Sequence, residues 1–432
     1  MAFRGKAIFT NKDIRNRILF TLFAFLVYRL GSAITVPDVN TADLVAGIED
    51  NSLFAMINLL GGGGLEQFSI FALGVTPYIT ASIIIQLLSM DVVPHLSELA
   101  KNGATGRKTL DKYTRYLAVV FAFVQSFSLV YGFSQTYTTL IEGGVTMAKI
   151  MYIATIFTAG SMFLVWIGDQ ISIKGIGNGI SMVIMAGIVG RMPQQFADAW
   201  TTLIGAESTI ENGAWLFAGY ILVYLLIIIF VTLINTAERR IPIQYTSSSI
   251  QLSKRSESNY LPLKVNSASV IPVIFALSIL QFPLTITYFM DNQSSAAAWI
   301  EKWLSPTGTP GVWVYAAFNI VLIIFFTYFY TSVTFNPVEV AQNMKANGGF
   351  IPGIRPGKAT IEYLNRVMTR ITFVGALFLA AVAILPTVVS QLGGLNFHFG
   401  GTSLLIAVGV ALDTMKQLEQ QMVMRNYQGF LK

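Results

Sequence analysis

The sequence predicts an all-α polytopic membrane protein, with ten transmembrane helices arranged as two inverted five-helix halves. Three observations carry this. The 432 residues are 54% hydrophobic and only 12% charged, with mean hydropathy +0.61, and apolar runs of bilayer-crossing length recur from end to end. Basic residues alternate between successive loops as the positive-inside rule requires. Each side of a polar central segment carries an odd number of spans, so the second half enters the membrane upside down relative to the first.

Spans are expected near 18–36, 68–90, 116–134, 148–168, 176–192, 214–235, 268–290, 312–335, 371–389 and 401–418. With both termini placed in the cytosol, Arg4, Lys6, Lys12, Arg15 and Arg17 precede span one, and Lys101, Arg107, Lys108, Lys112 and Arg115 follow span two. Lys174 follows span four, Arg239, Arg240, Lys254, Arg255 and Lys264 follow span six, and Lys345, Arg355, Lys358, Arg366 and Arg370 follow span eight. The outer loops keep only Lys149, Arg191 and Lys302, and Arg29 lies within span one, where it snorkels or pairs. The first long apolar run lacks a small-residue cleavage site, so span one is expected to stay in the mature chain.

The expected N-terminal half is 1–192, an external hinge segment covers 193–213, and the C-terminal half is 214–432, with cytosolic loops 236–267 and 336–370. The second span of each half pairs a proline with a later glutamine, Pro77 with Gln86 and Pro272 with Gln281, and the fifth opens on glycine in "GIGNGIS" and "FGGTSLL". Interrupted helices at corresponding places point to a working site between the halves. Ordinary kinks and close glycine packing explain the same features equally well.

The stretch "SLFAMINLLGGGGLEQF", 52–68, is apolar for too few residues to cross, and its run of glycines breaks any helix. It reads as a short re-entrant helix with a hinge, which requires protein or a water-filled cavity to satisfy its backbone; a loop lying on the outer leaflet is the other reading.

The residues exclude several chemistries. Cysteine is absent, and His95 and His398 are too far apart to suggest a zinc motif, so no metal or other cofactor is expected. Carboxylates are missing from the middle of the spans, which argues against an ion-coupled carrier, since Asp413 and Glu419 lie at the cytosolic side of span ten and Asp169 follows span four. No G-x-S-x-G, H-E-x-x-H or intramembrane aspartate pair supports an enzyme. A lining of aliphatic and small polar groups suits a pore gated by dewetting, with "SIIIQLL" and "SVIPVIF" as candidate linings. Any single isoleucine in such a run is more often plain core. The cytosolic "NGGFIPGIRPGK", 347–358, lacks the phosphate-loop spacing and a preceding strand, so it is not expected to bind nucleotide.

Taken in order, "FSIFALGVTPYITASIIIQLL", "KGIGNGIS", "LPLKVNSASVIPVIFA", "FIPGIRPGK" and "GGTSLLIAVGVALDTMKQLE" resemble the SecY family of protein-secretion channels over nearly the whole chain. The resemblance implies an hourglass of two inverted halves, closed by a ring of aliphatic side chains and an outer plug. By motif, the ring falls on Val75, Ile79, Ile180, Ile184, Ile274 and Ile406. The plug falls on 52–66, with Leu53, Phe54, Ile57 and Leu60 as its apolar residues and Gly61, Gly62, Gly63 and Gly64 as its hinge. Spans two and seven, with three and eight, form the lateral gate, where Thr80, Gln86 and Asn266 either hydrogen-bond across the closed gate or make local bonds between helices. Arg355 and Lys358, with Lys254, Arg255, Arg107 and Lys108, are the implied docking residues for the motor ATPase SecA and the ribosome; a basic loop that merely sets topology is the alternative.

The implied activity is passive conduction of unfolded polypeptides across the bacterial plasma membrane, with lateral release of apolar segments into lipid and no enzymatic step. The implied partners are SecE and SecG as small subunits, SecA, ribosome–nascent-chain complexes, signal peptides and secretory precursors, and membrane lipids, with no nucleic acid except through the ribosome. Three departures from the family pattern stand out: the serine-rich "QYTSSSIQLSKRSESNYLPL" after span six, Ser269 where the family commonly has glycine, and the altered "LAKNGATGRKTL". They fit an accessory or specialised member. A secondary transporter for a small solute is the reading from another class, and a membrane enzyme comes third.

Overall fold

The computed structural model describes residues 11–40, 64–90, 92–136, 140–141, 144–204, 213–245, 260–287, 294–304, 311–393 and 401–429. The plug candidates Leu53, Phe54, Ile57, Leu60, Gly61, Gly62 and Gly63, and the loop cations Lys254 and Arg255, lie outside these residues.

Each expected span coincides with a helix: α1 (Lys12–Ser32), α2 (Thr76–Leu88), α4 (Gly103–Thr136), α5 (Met147–Lys174), α6 (Gly179–Ile204), α7 (Gly213–Thr236), α8 (Ile271–Thr287), α10 (Gly311–Thr334), α12 (Lys358–Gly393) and α13 (Gly401–Gly429). Short helices α3 (Pro94–Lys101), α9 (Ser295–Leu304) and α11 (Pro337–Ala346) lie between them. Five helical stretches among the described residues are long and apolar enough to cross a bilayer by themselves, within Thr105–Gln135, Met147–Lys174, Gly213–Thr236, Gly311–Ala346 and Lys358–Leu385. Helix α7 keeps Leu222, Leu225, Leu226, Ile229, Phe230 and Leu233 more than half exposed, an apolar face suited to lipid. Helix α6 runs through Pro193 to Ile204, so the expected external segment 193–213 is helical throughout its first half.

Helices α2 and α8 are short because each follows a non-helical approach. Residues 64–75 turn rather than coil, with Phe68 at φ 46° and Gly74 at φ 59°, although Leu65, Phe68, Ser69 and Ala72 are fully buried. The expected helix over 68–90 therefore begins only at Thr76. The protein satisfies the exposed backbone groups: Val36 N–H donates to Phe68 O (3.1 Å), Ile70 N–H donates to Ile34 O (3.1 Å), and Ser161 Oγ donates to Gly74 O (2.8 Å). Gly160 permits this approach, because a Cβ there would stand 2.0 Å from the Ile70 carbonyl oxygen.

The approach to α8 repeats the pattern. Ser269 sits at φ 56°, two residues before α8, as Gly74 sits two residues before α2. "GVTP" at 74–77 and "SVIP" at 269–272 thus occupy equivalent places, and each places a proline in the first turn, where no N–H is needed. Asn266 Nδ2 donates to Ser269 O (3.1 Å), as Ser161 does to Gly74 O.

The loops after spans six and eight add a small β component to the helical fold. Strand β1 (Glu238–Pro242) pairs antiparallel with β3 (Tyr260–Lys264), Glu238 opposite Lys264, and β2 (Gln244–Tyr245) pairs with β4 (Gly349–Phe350).

Candidate functional site

Helix α8 packs against both α2 and α4, and α6 packs against α7 and α13, so helices of the two halves meet in two sets of contacts. One apolar cluster is drawn from both halves. Val75, Ile184, Ile274 and Ile406 are buried within it, and Ile79 and Ile180 are partly buried against it. All six ring candidates therefore share one apolar cluster, with Ile79 and Ile274 at equivalent places after "GVTP" and "SVIP".

The polar gate candidates are less exposed to one another than their positions suggest. Thr80 Oγ1 donates to Thr76 O (3.1 Å), Gln86 Nε2 donates to Ser82 Oγ (3.3 Å) and faces outward, and Asn266 Nδ2 donates to Asn235 Oδ1 (2.7 Å) at the end of α7. None of the three hydrogen-bonds across the α2–α8 contact among the described residues. A helical hydroxyl finds its own i−4 carbonyl more readily than a partner on a neighbouring helix.

A cavity of about 320 Å³ opens between Asn178 and Ser181 of one half and Lys264, Ser269, Asp413 and Gln420 of the other. A chain of polar bonds links its lining residues Lys416, Ser269 and Asp413. Lys416 Nζ donates to Asn235 O (3.2 Å), Asn266 joins Asn235 to Ser269, and Ser269 Oγ donates to Asp413 Oδ2 (2.6 Å). The "GIGNG" turn forms the facing rim, held to α1 because Arg17 donates to Gly175 O (3.1 Å) and Ile176 N–H donates to Thr21 Oγ1 (3.2 Å).

The segments after spans six and eight share a core. Ile241 and Leu263 of the hairpin pack with Ala341 and Met344 of α11, Ile351, and Leu364 and Met368 of α12. The "NGGFIPGIRPGK" stretch crosses this platform: Asn347 caps α11, Gly349–Phe350 forms β4, and Gly353 (φ 81°) and Gly357 (φ 110°) turn the chain into α12. Open space surrounds both glycines, so backbone conformation alone explains them. Arg355 and Lys358 are exposed there, with Thr360 Oγ1 holding Arg355 O (3.0 Å). Arg107 and Lys108 are exposed on the first turns of α4.

The SecY family model matches residues 69–415. Among curated relatives, the protein translocase subunit SecY of Halalkalibacterium halodurans is 44% identical, with 98% of each chain covered, and that of Bacillus licheniformis is 46% identical, with 98% of this chain and 97% of the relative covered. This chain belongs to the SecY family. Solved structures share the fold at lower identity. One described as a protein conducting channel superposes with TM-score 0.65 at 19% identity, covering 95% of this chain and 93% of the other. Sec61 in the canine ribosome–channel complex superposes with TM-score 0.63 at 19% identity and the same coverage.

The SecY match spans the ring, gate and platform candidates and begins just after 52–66. Sequence reasoning missed the β1–β3 hairpin, whose signal is the alternation of Ile241 with Ile243 and Leu261 with Leu263. It also missed Asp413 as the partner of Ser269, for which no local signal exists, because the two lie far apart in sequence.

Proposed function

We propose that this SecY-family chain is the protein-conducting channel of a bacterial secretory system, moving unfolded polypeptides outward through the cluster of ring candidates and releasing apolar segments between α2 and α8. The observation that carries the reading is the direct α2–α8 contact beside an apolar cluster that both halves build. An aliphatic constriction holds back ions because it offers nothing in place of their hydration shells, yet it yields to a chain without breaking specific bonds. Apolar h-regions partition favourably into hydrocarbon, so an opening at this contact sorts by hydrophobicity with no catalytic residue.

In this reading the halves are 1–192 and 214–432, residues 52–66 plug the outer side, and both termini lie in the cytoplasm beneath the plasma membrane. Polar Thr80, Gln86 and Asn266 flank the gate and set its closed state through local bonds. Energy comes from partners: SecA or a ribosome docks on Arg355, Lys358, Lys254, Arg255, Arg107 and Lys108, while SecE and SecG complete the complex. A shared apolar core beneath the Arg355 turn supports this, because it gives a docking partner a rigid surface. Ribosome docking is further supported by the fold shared with Sec61 in its ribosome–channel complex.

Reconstitution tests the reading. The chain, with its small subunits in proteoliposomes, is expected to protect a secretory precursor from protease only when SecA and ATP are supplied. Saturable uptake of a small solute by the chain alone, with no precursor protection, would support a transporter instead.

A further inference from the structure

We propose that the Ser269–Asp413 hydrogen bond is a positioning contact that latches the gate helix α8 to α13 and sets how apolar a segment must be to open the gate. This deepens the channel reading and rests on it.

The argument begins with the backbone. Ser269 occupies the left-handed region at φ 56°, where a Cβ is unfavourable and glycine is at ease. Gly74 holds the equivalent place before α2. The serine therefore carries a conformational cost that its counterpart avoids, and what its side chain adds is a hydroxyl donating to the carboxylate of Asp413 at 2.6 Å. Charge-assisted bonds of this length are among the stronger ones.

The next residue docks beside it. A Cβ placed on Gly409 would lie 2.5 Å from Val270 Cγ1, so Val270 nests against that glycine. Gly409 and Asp413 are one turn apart on the same face of α13, and they receive Val270 and Ser269 in turn. Upstream, the chain is fixed: Val265 N–H donates to Ala237 O (3.0 Å), and Gly375 of α12 lies close under Val265 O. Residues 266–270 are thus the joint between a fixed platform and the gate helix. With glycine at 269 the joint turns without a side-chain tether; with serine it is tied to α13. In this proposal the α2–α8 contact opens by movement of α8 within its own half, relative to α13, which works against that tie, so a weakly apolar segment gains too little from lipid to open it.

Transport by the reconstituted complex tests this, using precursors whose h-regions run from strongly apolar leucine-rich to weaker alanine-rich sequences. Ser269→Gly and Asp413→Ala are each expected to raise the ratio of weak-signal to strong-signal transport several-fold. Asp413→Asn, which keeps an acceptor, is expected to lie near the parent, and the Ser269→Gly/Asp413→Ala double variant is expected to match the single ones, because each removes the same bond. A ratio unchanged in Ser269→Gly, with thermal unfolding of the complex also unchanged, would overturn the latch. Failure of the parent complex to transport even the strong-signal precursor would instead overturn the channel reading, and the latch with it.

Discussion

Arg191, on α6, pairs its guanidinium with the carboxylate of Glu66, in the turned segment that leads into α2. Both side chains are largely buried, so the pair fixes the start of that segment against the neighbouring helix of the same half. Because this segment follows directly on the plug candidates, the pair is expected to hold the outer seal in place. Removing one partner leaves the other charge uncompensated, at a cost of roughly 3–5 kcal/mol if the pair behaves as fully buried ones do. Arg191→Ala is expected to raise resting ion conductance in planar bilayers, with Glu66→Ala/Arg191→Ala less disturbed than either single variant. Equal leakage from single and double variants would show that the pair itself is not what matters.

Replacing Ile180 and Ile406 by serine is expected to wet the constriction and let ions through the resting channel. Ile406 is fully buried, so the change also removes packing, by about 2–5 kcal/mol if the site behaves as in large-to-small truncations. Thermal unfolding measured beside conductance separates the two effects. A stable double variant with parental conductance would remove both residues from the ring.

Arg355→Glu is expected to abolish SecA-driven transport while leaving the fold intact. The Arg355 side chain is exposed, and its backbone carbonyl accepts a hydrogen bond from Thr360 Oγ1. Stability is therefore expected to stay within about 0.5 kcal/mol of the parent. Undiminished transport would leave this loop with topology as its only role.

Gly357→Ala probes the same platform through the backbone. At φ 110° an alanine is strained by about 1–3 kcal/mol, although its methyl group would meet nothing. SecA-dependent transport is expected to fall even though Arg355 remains, because the turn that presents it relaxes to another shape. A variant with parental transport rates would mean that the turn's geometry is immaterial to docking.

Hydropathy and charge made the ten helices legible, because each buries or exposes a continuous apolar run whose ends carry the cations. The same signal could not show that 64–75 is turned rather than helical. Leu65, Phe68 and Ala72 are as apolar as helix core, and the turned segment is tied, through Phe68 O to Val36 N–H and through Ile70 N–H to Ile34 O, to residues that are distant in sequence. Thr80 and Gln86 could be placed on α2 by the motif, but their bonding depends on side-chain geometry, which settled on Thr76 and Ser82. The platform core was hidden for a different reason: Ile241 and Leu364 belong to separate loops, and only the folded chain brings them together.

The most direct measurement is disulfide crosslinking in reconstituted membranes, with cysteine at Ile79 and cysteines along a stalled secretory precursor; the native chain has none to compete. A crosslink that forms only with SecA and ATP is the expected result and puts a moving polypeptide among the ring candidates. Intact precursor translocation with no crosslink at any precursor position would contradict it, because the polypeptide would then pass elsewhere.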